Sequence, residues 1–404
     1  MTRLKYIVLM VFSLGIAHFA QAQFTLSGEF RPRTELSHGY KSLASENQDA
    51  STITAQRTRL NAGYSNEFIK TSLVLQDVRR WGNQAQLVSN EDYAVSVHQA
   101  WAEILFSKEF SLKAGRQELV YDDSRIFGNV GWAHQARSHD IAVFKYEKDL
   151  KLHFGIAHHE NGDITNSDYN GPDAYKDLQF IWFNNSWEKA ALSLLFLNNG
   201  VPAMEDGEQK NKFSQTMGGH VKGRIKTIQL VSNLYYQTGK HVSGASISAF
   251  NFLAEASLAT FTLGFEHLSG SAYDDTDYKS FTPLYGTNHK FNGFMDYFYV
   301  GNHIGSVGLN DLYLKYNYSK NKLAFDAHLH YFGAAAEIAA NADKYLGTEI
   351  DLALGWTVNP MAKISFGLSG MFAGESMELL KGGDSSASQY WGYVMLAINP
   401  TFIK

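Results

Sequence analysis

One regularity restricts the fold of this chain more than any other. Strand-length stretches with alternating apolar and polar side chains are joined in turn by very short links and by long polar ones. Phe24-Thr-Leu-Ser-Gly-Glu-Phe-Arg-Pro-Arg33 sets the pattern, with Phe24, Leu26, Gly28 and Phe30 on one face and Thr25, Ser27, Glu29 and Arg31 on the other. Period two means a strand facing two different environments. Thr54 to Tyr64 sets Leu60, Ala62 and Tyr64 against Arg57, Arg59 and Asn61, turns at Ser65-Asn66, and continues as Phe68 to Val78, where Ile69, Leu73 and Leu75 oppose Lys70, Ser72 and Gln76. The same hairpin recurs as His98–Phe106 with Phe110–Leu119, Asp140–Tyr146 with Leu150–His158, and Leu178–Trp187 with Ala190–Asn198. It continues as Gln215–Gly223 with Thr227–Gln237, Phe250–Ser257 with Phe261–His267, Leu309–Tyr318 with Leu323–Phe332, and Gly347–Thr357 with Ala362–Phe372. Eight pairs plus a single first strand and a single last one, Tyr390–Asn399, make eighteen.

An all-β transmembrane antiparallel barrel explains both the even count and the alternation, because outer-membrane barrels have short periplasmic turns and long outer loops. A soluble sandwich or propeller also uses short strands at regular spacing. It has no reason to alternate long with short connections, or to show Tyr, Phe and Leu outward. In a barrel the apolar faces meet lipid, since hydrocarbon leaves no backbone group unpaired and a closed sheet has no edge. The aromatic content of 14%, with 22 Tyr and 27 Phe, suits that surface. Tyr64, Tyr146, Trp182, Trp187, Tyr235, Tyr236, Tyr316, Tyr318, Trp356 and Tyr390 fall near strand ends, as two aromatic girdles require. The other face carries Arg31, Arg57, Arg59, Lys70, Lys151, His153, His220, Lys222, Lys315, His328 and His330, interleaved with Glu29, Glu103, Asp177, Glu266, Asp311, Asp326, Glu349 and Asp351. An eighteen-stranded barrel is wide enough for an aqueous channel unless loops close it.

The N-terminus assigns the compartment. Arg3 and Lys5 precede an apolar run from Tyr6 to Ala20, and Ala20-Gln21-Ala22 has the small residues of a signal-peptidase site. Residues 1–22 therefore read as a cleaved signal peptide and 23–404 as one barrel domain in the bacterial outer membrane. With 0 Cys there is neither a lipoprotein anchor nor a thiolate metal site. Without Arg3 and Lys5, 33 basic residues (35 − 2) face 40 acidic ones, so the chain is no basic surface for nucleic acid.

Leu112 to Asp140, LKAGRQELVYDDSRIFGNVGWAHQARSHD, departs from the pattern. It begins as a strand and breaks into a run carrying Arg116, Asp122, Asp123, Arg125, Arg137, His139 and Asp140 with Phe127 and Trp132. A segment of about 20 residues without regular structure is usually functional. Counting from Leu112 and Ala114 puts Arg116 on the outward face, so a pore role for it requires a bulge at Gly115 or a position above the lipid.

At this segment the chain resembles the alginate-export family of outer-membrane porins, in its Bacteroidota-type members. Supporting pieces are Gln76-Asp-Val-Arg-Arg-Trp-Gly82, His98-Gln-Ala-Trp-Ala-Glu103, Phe294-Met-Asp-Tyr-Phe-Tyr-Val-Gly-Asn302 and Ser369-Gly-Met-Phe-Ala-Gly-Glu375. The resemblance implies an eighteen-stranded monomeric channel, made locally positive by arginines, that passes an anionic polysaccharide such as alginate. Its arginine-bearing segments match Arg57, Arg59, Arg79, Arg116, Arg125 and Arg137, which with Arg31, Lys70, Lys222, Asp122 and Asp123 are the candidate pore residues. Independently of the family, a guanidinium pairs bidentately with a carboxylate, and rings of Arg or Lys favour anions. The charges of the 116–140 segment can equally neutralise one another and pin a loop to the wall.

Uptake or general diffusion of sugars and small solutes remains a second reading, and a surface adhesion or receptor barrel without an open pore another. A rim hydrolase built on His139 with Asp140, or His303 with Asp296, is a third alternative, although no Gly-x-Ser-x-Gly or His-Glu-x-x-His motif is present. No enzyme activity, cofactor or metal is expected: His158 and His159 point to opposite faces of a strand, and Asp274, Asp275 and Asp277 read as a solvated acidic loop. The expected partners are the solute, outer-membrane lipid and lipopolysaccharide, with any periplasmic partner unidentified.

Overall fold

In the computed structural model residues 23–86, 95–160, 168–169, 175–298 and 300–404 are described. The leader expected at 1–22 lies outside them. Eighteen antiparallel strands follow in order: β1 Gln23–His38, β2 Ser51–Ser65, β3 Ile69–Arg80, β4 Ser96–Leu105, β5 Phe110–Gln117, β6 His139–Glu147, β7 Leu150–His158, β8 Asp177–Ser186 and β9 Ala190–Glu205. Then come β10 Glu208–Ile225, β11 Ile228–Lys240, β12 Ser246–Leu258, β13 Phe261–Leu268, β14 Leu309–Lys320, β15 Leu323–Gly333, β16 Tyr345–Asn359, β17 Ala362–Ala373 and β18 Gln389–Ile398. The last strand resumes after a break at Asn399-Pro400 as Thr401–Ile403. Each strand pairs with its sequence neighbours, and the ring shuts where β1 meets β18, with Phe30 opposite Ile398 and His38 opposite Tyr390. Gln23 and the C-terminal Lys404 therefore lie at the short-turn rim, which is the periplasmic one.

Two outer connections are shorter than the sequence pattern suggests. β9 and β10 run on past Asn198 and before Gln215 to a two-residue turn at Asp206-Gly207, and β11 and β12 are joined by 241–245 alone. Asp-Gly between extended runs is a tight-hairpin signal, so these strands project beyond the lipid as a paired ribbon. The remaining outer connections are long, the longest being 269–308.

The faces are inverted relative to a soluble protein. Leu60, Leu73, Phe144, Phe154, Leu194, Leu263, Leu312, Leu329 and Leu352 are all exposed on the outside, while Gln76, Thr216, Asn233, Glu266, Asp311 and Glu349 are buried on the inside. Of the aromatics expected at the girdles, Trp187, Tyr236, Tyr318 and Trp356 face outward near strand ends, but Trp182 and Tyr235 are buried inside the barrel. Parity decides it: their neighbours Ile181 and Tyr236 occupy the lipid side. Asp177 likewise points outward, where it meets His158 at 2.6 Å. Since Leu194 sits mid-strand with 49% exposure, Leu194→Arg is expected to cost roughly 2–4 kcal/mol of folding free energy in lipid vesicles. A urea titration giving wild-type stability for this variant would contradict the assignment of that face to lipid.

Candidate functional site

Two outer connections fold into the barrel instead of away from it. Segment 118–138 leaves β5 and crosses the lumen, where it meets 269–308. Phe127 bridges to Tyr285 in parallel, Gly128 N donates to Tyr285 O at 2.9 Å and Thr287 N to Ser124 O at 2.9 Å, and Arg137 Nη1 donates to Gly286 O at 3.2 Å. The two segments thus form one body. Its contact with the wall is aromatic: Tyr121, Phe127 and Tyr285 of the body and Phe180 and Trp182 of β8 pack at 4.9–5.9 Å between ring centres, mostly edge-on or tilted. Such buried pairs add about 0.5–1.5 kcal/mol each beyond area burial.

The walls hold this body by two different chemistries. On β1 and β2 the holders are arginines. Arg31 Nη1 donates to Gly131 O at 2.8 Å, Arg33 Nη1 to Trp132 O at 2.9 Å, and Arg57 to the Ala133 and His134 carbonyls at 3.4 and 3.3 Å. Arg57 also pairs with Glu29 at 2.6 Å, and the Arg33 guanidinium lies 4.0 Å from the Trp132 ring centre. Arg59, the next inward residue, binds Gln76 Oε1 through Nε and Nη2 at 3.1 and 3.0 Å. His134 sits in the inward segment beside these arginines. Burial, then the charges of Arg33, Arg31 and Arg57, pushes its pKa down to about 3, so this contact carries no histidine charge at ordinary pH.

On β13, β14 and β16 the holders are acids. Glu266 of β13, Asp311 of β14, and Glu349 and Asp351 of β16 are each at most 1% exposed. Asn292 Nδ2 donates to Glu266 Oε2 at 2.9 Å and to Asp311 Oδ2 at 3.1 Å. Phe294 N donates to Asp351 Oδ2 at 3.3 Å and Met295 N to Glu349 Oε1 at 2.8 Å. Arg125, itself 1% exposed, reaches Glu266 at 2.6 Å and Asn292 Oδ1 at 3.1 Å. Four of the acids expected in the lumen, Glu266, Asp311, Glu349 and Asp351, are therefore occupied in seating residues 292–295, while Glu29 and Glu103 pair with Arg57 and Lys145.

The sequence candidates separate accordingly. Arg31, Arg57 and Arg59 face inward together, Arg125 and Arg137 belong to the inward body, and Asp122 and Asp123 tie that body to the wall. Trp182 Nε1 donates to Asp122 Oδ2 at 3.1 Å and Asn233 Nδ2 to Asp123 Oδ2 at 2.6 Å. Lys70 and Lys222 are exposed on the inner face below the body. Arg116 does not join them, and Arg79 does so only at the outer end of its strand, where it borders the vestibule lined by Arg33 and Arg80. Arg79 lies with Leu73 and Leu75 on the outward side of β3 and pairs with Asp77 at 2.6 Å. Arg116 stands opposite Ala100 without any bulge at Gly115, and meets Asp140 outside the wall at 2.8 Å. At Arg116 the two-residue period wins over the motif. The same period would have found two residues that sequence reasoning missed. Arg33 shares the inward parity of Glu29 and Arg31, and Arg80 stands opposite Ala55 on the inside.

Arg33 and Arg80 face an outer vestibule of about 690 Å³, together with Lys41, His134, Glu35 and Asp296. Among the described residues the Arg80 side chain makes no hydrogen bond or ion pair. Inward lysines collect at the periplasmic end: Lys145 meets Glu103 at 3.0 Å, Lys113 lies 3.8 Å from the Trp101 ring centre, and Lys315 meets Glu255 at 3.4 Å. Neither rim dyad considered from the sequence is assembled. His139 turns to Tyr175 at 3.1 Å while Asp140 points the other way, and Asp296 is held by Tyr40 and His289 while His303 binds Gly308 O.

Residues 22–393 match the sequence model of a family described as alginate export. No curated protein matches the chain. Among solved structures it is similar to Pseudomonas aeruginosa OccK5 (OpdH) and OccK8 (OprE), each at 12% identity and a TM-score of 0.61, with 94% of this chain and 98% of the other covered. It is also similar to Pseudomonas aeruginosa OpdK with vanillate, at 12% identity and a TM-score of 0.55, with 93% and 99% covered. At such identities the likeness is one of fold.

Proposed function

The chain belongs to the alginate-export family of the bacterial outer membrane, a channel that sits in outer-membrane lipid, and from that premise we propose that it passes an anionic saccharide, built from uronate units, along a positively biased lumen. The observation that carries this reading is the separation of charge inside the barrel. Four acids are sealed under residues 292–295, so the exposed charges left on the inner face are weighted towards Arg80 outside and Lys70 and Lys222 inside, while Arg33 lines the vestibule paired with Glu35. A guanidinium fork offers paired donors that a carboxylate on each sugar can take and release. Conduction demands such weak, repeated sites rather than one tight one.

The inward body narrows the path, and this favours one further reading: uptake of a small carboxylate in place of a polymer, the class to which the vanillate of the OpdK structure belongs. Bilayer recordings under a KCl gradient test both. Anion preference is expected, with block by oligo-mannuronate, and the preference should collapse towards unity in Arg33→Ala/Arg80→Ala. It should also fade near 1 M salt, where exposed charges are screened beyond ~3 Å. Block by vanillate but not by oligo-uronate selects the small-solute reading. Cation preference in the wild type, or a preference indifferent to both arginines, refutes the arginine-lined path.

A further inference from the structure

We propose a second site inside the barrel: His328, His330 and Asp351 form a binding site for a divalent transition-metal ion of the zinc class, under the seat of residues 292–295. His328 and His330 leave β15 on the same inward face, and Asp351 of β16 stands directly opposite His328. One ligand atom from each lies within 4.8 Å of the others. Their hydrogen bonding leaves those atoms available. His330 Nδ1 is fixed between the two Asp311 oxygens at 2.9 and 3.0 Å, so that nitrogen carries the proton and Nε2 keeps its lone pair. Nε2 points at Asp351 Oδ2 across 4.0 Å, too far for a hydrogen bond. His328 Nε2 and Asp351 Oδ1 are buried with no hydrogen-bond partner, and Asp351 is 0% exposed.

A buried polar atom left unpaired costs about 1–3 kcal/mol, more if charged, and two such atoms belong to this one cluster. Ligands 2.0–2.2 Å from a tetrahedral zinc stand about 3.3–3.6 Å apart, so small side-chain rotations close the set around an ion. Asp311 holding Nδ1 is the carboxylate–histidine arrangement that orients imidazole ligands and raises their basicity. Charge favours the same outcome. Glu266, Asp311, Glu349 and Asp351 are buried together with the Arg125 guanidinium paired to Glu266 alone, and a divalent cation offsets the remainder. Lys315, opposite His328 in register, is drawn away to Glu255. Two imidazoles select zinc-like ions over calcium or magnesium, which prefer oxygen. Because Phe294 N donates to Asp351 and the Phe294 ring stands 5.1 Å from His328, a bound ion stiffens the wall against which the inward body rests.

The test uses tag-free, EDTA-treated full-length barrel in detergent, with folding of every variant checked by heat-modifiable gel migration. Calorimetric titration with ZnCl₂ is expected to give one ion per chain, and Co²⁺ the intense visible absorption of a tetrahedral, nitrogen-ligated ion. His328→Gln and Asp351→Asn should each weaken Zn²⁺ binding by at least roughly tenfold, and Asp311→Asn by roughly 10–100-fold through loss of orientation. His241→Gln, in an outer loop, should bind as the wild type does. No Zn²⁺ binding by the wild type overturns the site, as does His328→Gln binding normally. Should His328→Gln not refold, a weak octahedral Co²⁺ spectrum from the wild type, showing oxygen ligands alone, overturns it equally.

Discussion

Arg125→Met is expected to hold the channel open, with high-conductance events that last longer than those of the wild type. Arg125 and Glu266 are each 1% exposed and 2.6 Å apart, and Asn292 shares both partners. Removing one member of such a pair leaves an uncompensated buried charge and costs roughly 3–5 kcal/mol. That cost falls on the seated state of the inward body alone, because once the body lifts away Glu266 is rehydrated. The ratio of lifted to seated channels therefore rises by roughly two to three and a half decades. Arg125→Met/Glu266→Met removes both charges and should return conductance close to that of the wild type, which a general loosening of the barrel would not. If Arg125→Met folds and conducts as the wild type does, the ion pair does not govern the opening of the lumen.

How much of this was legible in the sequence depends on what range of contact each feature needs. Alternation at period two is local, so strand number, closure and the inward parity of Arg31, Arg57 and Glu266 were all readable from the chain, and so was the outward parity of Arg116 that the structure bears out. Arg79 has the outward parity of Leu73 and Leu75, yet at the outer end of β3 it borders the vestibule. The hairpin at Asp206-Gly207 leaves no clear trace in the sequence because polar strands that rise beyond lipid lose the apolar half of the pattern. The seating of residues 292–295 on four acids could not be read at all. It joins β16 to the loop through the main-chain amides of Phe294 and Met295, and β13 and β14 through the Asn292 side chain, contacts between positions so far apart in sequence that no local pattern announces them. The same holds for Arg31 and Arg57, whose partners are the carbonyls of 131–134: the side chains announce charge, and only the fold says that it is occupied.

The second large effect comes from the other side of the same seat. Gly293 has φ +86, a conformation that costs a β-branched residue about 1–3 kcal/mol. A Cβ there would also lie 2.6 Å from Glu349 Oε1 and 2.7 Å from Oε2. Glu349 is 0% exposed and its Oε1 accepts from Met295 N, so the carboxylate has nowhere to retreat. Gly293→Val should therefore unseat residues 292–295 and lengthen the open events as Arg125→Met does. Gly82→Val separates strain from clash: its φ is +91 but a Cβ there meets nothing within 4 Å, so conductance should be unchanged at some cost in stability. Since the two loops move as one body, Arg125→Met/Gly293→Val should open the channel no further than either change alone, which is the non-additivity expected of residues sharing one contact set. Fully additive effects would mean two independent gates. A folded Gly293→Val barrel with wild-type conductance would mean that residues 292–295 do not obstruct the lumen.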